Sequence, residues 1–469
     1  MTRSCGVGTP GSVSSRMPHE PPRSTVRAMT GIESSDGIEP SVGPSGARPF
    51  GSRPVPRTYL IALTDAGGTV PPEVGVVRRL VDRGHQVTVL ADASMADQVR
   101  ATGSAVVPWS VSPAGEFRDW ELRTPTALAR GMSDRMLSGP APGHAVDTAA
   151  AIDRNAPDVV VTSAMSLGAM IAAEAHGIRF DVLIPNVYPL PAPGRPPFGV
   201  GLKPARGPGG RLRDRAVGDL GTRLIDRYAL KPINALRAEY GLHPIANTWD
   251  QQLHAHRLLV LTSRRFDFAG TLPEHVRYVG PILDDPTWAA DEHWMPPAGD
   301  DPLVLVAMSS TPQNHVDCLQ RIADALGTLP VRGIVTTGPA VPPAAIRAPA
   351  NVTVVAAAPH TAVLRHASLV ITHGGHGTVI KTLAAGLPLV ILHHGRDQAD
   401  NAARVTARGA GLSVPRRSSS ARIARAVAAV LSSASYREHA GRLGEQVLAD
   451  ASSSTLLDEL ESVEPTQER

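Results

Sequence analysis

The residue types best suited to chemistry stand in one short run, HGGHGT, from His373 to Thr378. Three of its residues, Gly374, Gly375 and Gly377, carry no Cβ, so a bulky anion can approach the backbone N–H groups. A helix that starts here adds the unpaired N–H groups of its first turn and the positive end of its dipole. His373 offers an imidazole and Thr378 a hydroxyl. The spacing therefore predicts a site for a phosphate or diphosphate.

The flanking elements must place this turn at the edge of a sheet. Residues 369–372 form a short apolar, β-branched run typical of a buried strand. Residues 379–385 have the pattern of a helix that Gly386 and Pro388 end, and residues 389–392 predict a second buried strand. In such a unit the turn lies at the carboxyl end of a parallel strand, where open α/β sheets bind ligands.

The segment resembles the donor-binding signature of nucleotide-sugar glycosyltransferases of the two-domain GT-B type, a superfamily that includes the macrolide, glycopeptide and enediyne antibiotic enzymes. In that family an H-x-G-x-G-T turn binds the donor diphosphate. The resemblance implies that His373, Gly374, Gly375, Gly377 and Thr378 hold the diphosphate.

Five further positions match the family's donor site. A D-Q or E-Q pair holds the sugar hydroxyls in the family, which implies that role for Asp397 and Gln398. Ser310, in a hydroxyl-bearing turn at 309–311, matches a diphosphate contact, although a helix N-cap explains this turn equally well. Ala358 and His360 match the segment that lines the nucleotide base, although His360 also suits a helix cap.

The first half departs from the family pattern at two positions. After the first strand, inverting members usually carry a G-H-x-x-P turn, whose His takes the proton from the acceptor hydroxyl, and a later Asp orients that His. Here Thr69 stands at the His position and Ser163 at the Asp position. A threonine hydroxyl has a pKa far above neutral, so Thr69 can orient a nucleophile but cannot itself be the base.

Three hypotheses follow for the missing base. The acceptor is itself nucleophilic or acidic, such as a phenol, hydroxylamine or amine. Alternatively, another group replaces the base, and Asp65, Glu73, His144 and Asp147 are candidates by proximity in the chain. We place Asp65 with Thr69 and Ser163 in the catalytic set, although Asp65 also suits a turn cap. Lastly, the protein binds a nucleotide sugar without turning it over.

Composition excludes several other classes of protein. The net charge is only +3 over 469 residues, which suggests neither a nucleic-acid partner nor an anionic membrane. Cys5 and Cys318 are too few for a disulfide framework, and a reducing cytoplasm fits them. No apolar run reaches the length of a membrane span. Six histidines between positions 360 and 394 match no zinc spacing, so we expect no metal and no cofactor.

The coarse pattern predicts two successive α/β halves with a cleft between them. The resemblance implies that they form the GT-B fold, in which two Rossmann-like domains face each other across this cleft. In this family the C-terminal helix crosses back to the first domain. The predicted parts are a disordered N-terminal extension (1–57), an acceptor-binding domain (58–280), a linker (281–301), a nucleotide-sugar-binding domain (302–430), and a C-terminal helix and tail (431–469).

The resemblance implies an inverting, metal-independent hexosyltransferase. We expect it to move a hexose or deoxyhexose from a UDP- or dTDP-sugar to a small apolar aglycone, in antibiotic or other secondary metabolism, as a cytoplasmic monomer or homodimer. A catalytically silent homologue that binds the nucleotide sugar or the aglycone is the main alternative. An epimerase that acts on the nucleotide sugar is a third hypothesis.

Overall fold

The computed structural model describes residues 55–112, 117–285, 294–309 and 311–462, which belong to one compact unit. Residues 1–54 of the predicted extension, residues 286–293 of the predicted linker, and Ser310 lie outside the described residues. The predictions made for these parts stay predictions.

The described part of the first half builds one parallel sheet. Its strands are β1 (Thr58–Ala62), β2 (Gln86–Ala91), β3 (Ala105–Pro108), β4 (Val159–Ser163), β5 (Phe180–Ile184), β6 (Arg257–Val260) and β7 (Val276–Tyr278). They lie in the order β3-β2-β1-β4-β5-β6-β7, and every pair is parallel. Parallel strands need crossover connections, and the apolar runs buried on both faces fit this requirement.

Helices cover both faces of this sheet. They are α1 (Val70–Asp82), α2 (Ala96–Arg100), α3 (Pro125–Met132), α4 (Ala141–Asn155), α5 (Leu167–Ala175), α6 (Pro208–Glu239) and α7 (Asp250–Leu253). Apolar side chains of α1 pack with the alternate residues Tyr59 and Ile61 of β1. Those of α4 and α5 pack on the opposite face, with Leu60 and Ala62. The alternation along β1 thus buries one core on each side.

The second half repeats this arrangement. Its strands are β8 (Leu303–Ala307), β9 (Arg332–Thr336), β10 (Val352–Val355), β11 (Ala367–Thr372), β12 (Leu389–Ile391) and β13 (Gly411–Ser413). They lie in the parallel order β10-β9-β8-β11-β12-β13. The helices are α8 (Val316–Leu326), α9 (His360–Leu364), α10 (His376–Ala384), α11 (Gln398–Ala407), α12 (Ser420–Ser432), α13 (Ala434–Ala451) and α14 (Thr455–Glu461).

Both sheets reverse their strand order at one central strand. In the first sheet β1 lies between β2 and β4, and in the second β8 lies between β9 and β11. The loops that leave the carboxyl ends of the two strands at such a switch point diverge and open a crevice. The turns after β1 and after β11 therefore both stand at crevices, which confirms the two Rossmann-like domains.

The last described helix, α14, crosses back to the first domain. Leu456 and Leu460 join the core beneath α1. The Tyr59 hydroxyl donates a hydrogen bond to the Leu460 carbonyl at 3.1 Å, and Glu461 pairs with Arg83 at 2.8 Å. The expected return of the C-terminal helix is confirmed.

Helix α11 ties the second domain to the first. Its Asp400 accepts hydrogen bonds from the amides of Gly199 and Gly201 at 2.6 and 3.1 Å. Its Arg404 Nε donates to Asp267 Oδ1 at 2.9 Å. Burial alone would raise the pKa of Asp267, but Arg404 and a second arginine outweigh it and hold this pKa at about 2. The buried ion pair thus fixes α11 against the first domain.

Within the described ranges, no helix has both the length and the apolar character that crossing a membrane requires.

Candidate active site

A cleft of about 340 Å³ lies between the two domains, with walls from the turn after β1 and from the turn after β11. It collects most of the predicted site residues. Those that line it are Asp65, Thr69, Ala358, His360, His373, Gly375, Gly377, Thr378, Asp397 and Gln398. Among the described residues of the predicted site, Gly374 and Ser163 do not line the cleft. The fold therefore brings together, around one cleft, segments that are more than 300 residues apart in the chain.

The turn after β11 is built to expose backbone N–H groups. The first intrahelical bond of α10 runs from the Val379 amide to the Gly375 carbonyl at 3.1 Å. The amides of residues 376–378 precede it and have no acceptor within the helix. A Cβ added to Gly377 would meet nothing within 4 Å of it in the described structure, so the approach to these amides is open. The turn can therefore receive an anion.

Gly374 has a different task from Gly377. Its φ is +98°, and an added Cβ would lie 2.9 Å from Ile391 Cγ2 and 3.0 Å from the Gln398 carbonyl oxygen. Its amide donates to Thr372 Oγ1 at 3.2 Å. Only glycine adopts this conformation in this space without strain, so Gly374 shapes the turn from behind.

The ring of His373 packs directly beneath the turn. A Cβ added to Gly375 would lie 2.6 Å from His373 Nε2. The pKa of His373 is lowered to about 3, chiefly by burial, with a smaller contribution from the neighbouring His394 and His315. The imidazole is therefore neutral near pH 7 and has a single N–H. A hydrogen bond to the Ala307 carbonyl favours the protonated ring only weakly against these effects.

Asp397 stands where α11 meets the cleft. Asn186, from the loop after β5, donates to Asp397 Oδ2 at 2.8 Å, and Asn401 donates to the same oxygen at 2.8 Å. Asn401 also donates to the Gly374 carbonyl at 2.9 Å. The carboxylate is thereby held between the first domain and the glycine turn, in a position to meet a ligand that occupies the cleft.

Gln398 is buried, with only 1% of its surface exposed. Its Oε1 accepts from the amides of His394 and Gly395 at 2.7 and 3.3 Å, and its Nε2 donates to Gln313 Oε1 at 2.9 Å. The amide thus orders the loop before α11 and joins it to the loop after β8.

His360 begins α9 at the far end of the cleft. Its Nε2 lies 3.2 Å from Thr336 Oγ1. Burial lowers the pKa of His360 to about 4, and the positive charge of Lys381 adds to this effect. Ala358 is buried beside it and lines the same wall.

Two cations of the cleft wall were missed by the sequence reasoning. Lys381 Nζ donates to Asp285 Oδ1 at 2.6 Å, and since Lys381 follows Gly377 by one helical turn, helical spacing could have revealed it. Arg396 has a φ of +56°, pairs with Asp119 of the first domain at 2.9 Å and donates to Thr311 Oγ1 at 3.1 Å. No sequence signal pointed to Arg396.

The turn after β1 cannot bind an anion in the same way. Pro71 and Pro72 have no N–H, and the Val70 amide already donates to the Gly67 carbonyl at 3.1 Å. The first turn of α1 therefore offers few free donors to the cleft, although it starts beside it.

Asp65 shapes this turn through both carboxylate oxygens. Oδ1 accepts from the Gly67 amide at 2.9 Å, and Oδ2 accepts from the Ser94 hydroxyl at 2.6 Å. The side chain is exposed and lines the cleft while it caps the turn.

Thr69 and Ser163 approach the same switch point from β1 and β4. Thr69 Oγ1 is buried, with no hydrogen-bond partner in the described part of the chain. Ser163 Oγ accepts from the Thr64 amide at 3.2 Å and donates to Glu73 Oε1 at 2.7 Å. Thr69 and Ser163 are thus not joined to each other; Ser163 is joined to Glu73 of α1.

The remaining candidate bases lie away from the cleft lining. His144 is buried and stacks on Trp109 with ring centroids 4.0 Å apart, and burial lowers the pKa of His144 to about 4. Asp147 accepts from both the amide and the hydroxyl of Ser110 at 2.7 and 2.9 Å.

A second cavity of about 620 Å³ adjoins the cleft and shares Gln313 with it. Its walls come from residues 118–123 of the first domain and 312–316 of the second, with Arg118, Arg123 and His315 among them. The described residues contain no group of three or more His, Cys, Asp or Glu side chains that could hold a metal ion.

Comparison with known proteins agrees with this geometry. The family described as "Erythromycin biosynthesis protein CIII-like, C-terminal domain" matches residues 320–463. The chain is 30% identical over 406 residues to 4'-demethylrebeccamycin synthase of Lentzea aerocolonigenes, which spans 83% of this chain and 95% of that protein. It is 29% identical over 344 residues to the oleandomycin glycosyltransferase of Streptomyces antibioticus, across 72% of this chain and 74% of that one.

Solved structures share the fold. The glycosyltransferase of kitacinnamycin has a TM-score of 0.70 at 23% identity, over 87% of this chain and 100% of that chain. CalG4, the calicheamicin glycosyltransferase, has a TM-score of 0.67 at 24% identity, over 87% of this chain and 98% of that chain. With the relationship to 4'-demethylrebeccamycin synthase over nearly its whole length, these likenesses show that the chain is a glycosyltransferase and belongs to the GT-B antibiotic-pathway family with the erythromycin CIII-like C-terminal domain.

Proposed function

We propose that this glycosyltransferase moves a hexose or deoxyhexose from a UDP- or dTDP-sugar to a small aglycone, with inversion at the anomeric carbon. The observation that carries the proposal is the open glycine turn at the start of α10, which directs three unpaired amides into the interdomain cleft.

The diphosphate would bind at this turn. Its negative charge would meet the amides of residues 376–378 and the positive end of the α10 dipole. The ammonium of Lys381, one turn further along α10, lies on the same wall. As the sugar leaves, the diphosphate gains charge, and donors fixed before the reaction stabilise that charge without reorganisation. This arrangement supports transfer without a metal ion.

The nucleoside would extend along the wall that Ala358 and His360 form. Two neighbours of the same fold support a thymidine nucleotide: SsfS6 has been solved in complex with thymidine diphosphate and VinC in complex with dTDP. The neutral ring of His360 presents a flat, uncharged surface, which suits a pyrimidine or a ribose better than a phosphate.

The sugar would lie against Asp397. A carboxylate accepts hydrogen bonds from sugar hydroxyls, and the two asparagines that hold Oδ2 fix its direction. Gln398 would act beside it, since its amide sets the loop from His394 to Gly395. We propose these two residues as the sugar-binding pair.

The acceptor would enter from the first domain. Val70, Pro71 and Ile282 give the cleft an apolar wall there, which supports a small apolar aglycone. Thr69 stands on this wall, opposite the diphosphate turn. Attack from one wall while the diphosphate departs toward the other is a single displacement, and this placement supports inversion.

A silent binding protein is the second candidate, because Thr69 and Ser163 replace the family's base dyad. The test is to incubate the protein with UDP- and dTDP-glucose and with phenolic and alcoholic acceptors, and to identify the products by mass and by the anomeric NMR coupling constant. We expect a β-linked product from an α-linked donor. Binding of the nucleoside diphosphates without donor consumption would support the silent homologue, a new sugar isomer formed without acceptor would support the epimerase, and calorimetry that shows no heat with either diphosphate would overturn the donor site.

A further inference from the structure

A buried carboxyl group lies directly behind the cleft wall. Glu73, in the first turn of α1, has only 1% of its surface exposed. Its Oε1 accepts from the Ser163 hydroxyl at 2.7 Å. Its Oε2 is buried and has no hydrogen-bond partner in the described ranges. An unpaired buried carboxyl oxygen is costly for folding, so its retention here requires an explanation.

Thr69 lies between this carboxyl group and the cleft. The Glu73 amide donates to the Thr69 carbonyl at 3.2 Å, so the two residues stand one helical turn apart. Side chains at this spacing share a helix face, with Cβ atoms about 5–6 Å apart. Thr69 Oγ1 and Glu73 Oε2 are both buried, and neither has a partner among the residues that the structure describes. One water molecule between these two unpaired polar atoms would satisfy both.

We propose that Glu73 is the proton acceptor of the transfer reaction and acts through the hydroxyl of Thr69, with Ser163 holding its carboxylate in place. The inference rests on the proposed glycosyl transfer. It deepens that function by naming the group that replaces the missing imidazole.

The acceptor loses a proton to Glu73 as it takes the sugar from the diphosphate. The acceptor X–H gives its proton to Thr69 Oγ, while the proton of Thr69 passes, through the bridging water, to the Glu73 carboxylate. The electron pair of X forms the bond to the anomeric carbon. The bond from that carbon to the diphosphate oxygen breaks, and its electron pair leaves with the diphosphate. Glu73 then returns its proton to solvent through the same path once the products have left.

The surroundings of Glu73 suit this role. The pKa of Glu73 is raised to about 8, chiefly by burial; the Ser163 hydroxyl opposes this rise, and the negative charge of Asp65 adds to it. β4 contributes only the neutral Ser163 hydroxyl. Further along α1, two arginines form ion pairs with a linker carboxylate: Arg78 and Arg79 with Asp284, at 2.9 and 3.0 Å. A base whose pKa lies near the working pH is effective at receiving a proton.

The test compares pH–rate profiles of the full-length enzyme and its variants, with donor binding measured separately by calorimetry. In the wild type, kcat/KM should rise with pH and level off above about pH 8, since the carboxylate form is the active one. Glu73→Gln should lower kcat at least a hundredfold, leave the Kd for the nucleoside diphosphate unchanged, and abolish this rise. The loss should be smaller with an acidic phenol than with an alcohol.

Two further variants separate the proton path from a merely structural role. Ser163→Ala removes the hydrogen bond that favours the carboxylate, so the rise in kcat/KM should move to higher pH. Thr69→Val removes the hydroxyl at nearly constant volume and should lower kcat strongly, whereas Thr69→Ser should recover part of it. Asp82→Asn, which changes an exposed acid on the same helix, should leave the profile unchanged.

The outcomes distinguish this inference from the function on which it rests. If the wild type transfers sugar and Glu73→Gln keeps its rate and pH profile, the role of Glu73 is wrong and the proposed function stands. Should Glu73→Gln fail to fold, a pH profile of Ser163→Ala or Thr69→Val identical to that of the wild type overturns the proposal by itself. A wild type that binds no nucleoside diphosphate and consumes no donor overturns both.

Discussion

Two strand–turn–helix units stand at the switch points of the two domains and have opposite chemistry. The turn after β11 leads into α10 through Gly375 and Gly377, and its amides face the cleft. The turn after β1 leads into α1 through Pro71 and Pro72, which have no amide N–H. A switch point thus carries a turn with exposed amides in one domain and a proline-containing turn with few free N–H donors in the other.

The buried titratable groups behind the two turns also differ. His373 behind the second turn and Glu73 behind the first are both uncharged near neutral pH because burial disfavours their charged forms. His373 adds no charge to its turn, where the positive potential comes from the backbone N–H groups at the start of α10. Neutral Glu73 is a carboxyl group that can exchange a proton near pH 8. Composition alone therefore does not assign chemistry to a turn; donor exposure and burial do.

The largest expected effect is on the pH dependence of stability. The pKa of Glu73 is raised on folding from 4.5 to about 8, so the folded state holds the proton more tightly than the unfolded state. The stabilisation, on the order of 5 kcal/mol, is fully present below about pH 4.5 and is lost as pH rises through 8. Urea unfolding at pH 5, 6.5 and 8 should show this loss in the wild type relative to Glu73→Gln.

His373, behind the second turn, has the opposite effect on the pH dependence of stability. The pKa of His373 is lowered on folding from 6.5 to about 3, so its contribution is present above pH 6.5 and is lost as pH falls toward 3. A wild-type curve parallel to that of Glu73→Gln between pH 5 and 8 would contradict the burial of an uncharged acid behind the first turn.

A matched pair of glycine substitutions tests the donor site. Gly377→Ala and Gly68→Ala each add a methyl group that meets nothing within 4 Å in the described structure. Only Gly377 lies beside the exposed amides, so Gly377→Ala should weaken binding of UDP and dTDP about tenfold, or 1.4 kcal/mol. Gly68→Ala should leave this Kd unchanged. Calorimetry with both diphosphates gives the comparison, and equal affinities for the two variants would contradict the anion site.

Asp397→Asn should separate sugar binding from diphosphate binding. We expect a tenfold lower kcat/KM for the nucleotide sugar and an unchanged Kd for the nucleoside diphosphate, because only the sugar loses a charged acceptor. Asp400→Asn is the control on the same helix, since Asp400 bonds to Gly199 and Gly201 instead. It should lower stability and leave kcat/KM nearly unchanged at equal folded fraction. Equal losses in both variants would contradict the sugar contact.

The smallest expected effect concerns the ion pair that joins the two walls. Arg396 and Asp119 are 2.9 Å apart, with 29% and 14% of their side chains exposed. Partly exposed pairs contribute less than about 1 kcal/mol, so Asp119→Asn should raise the donor KM less than fivefold. The change in donor KM should shrink further in 0.5 M salt. A larger change that does not depend on salt would mean that Asp119 contacts the ligand.

Local patterns predicted the second turn well. The glycines and the apolar runs around them placed a strand, a turn and a helix in the right order, and the observed β11, α10 and β12 follow it. The helix begins at His376, three residues before the predicted start, because its first turn is polar and lies at the cleft. The three-residue strand β13 was missed, since so short a segment has no periodicity of its own.

By itself the sequence determined the two α/β domains and the half that carries the glycine turn, because strand and helix periods and glycine positions are local properties of the chain. Only the tertiary structure decided that Ser163 bonds to Glu73, 90 residues away, that Gln398 is held by Gln313, and that His373 is neutral. Those features depend on which surfaces come together and exclude water, and burial then sets the charge of each group.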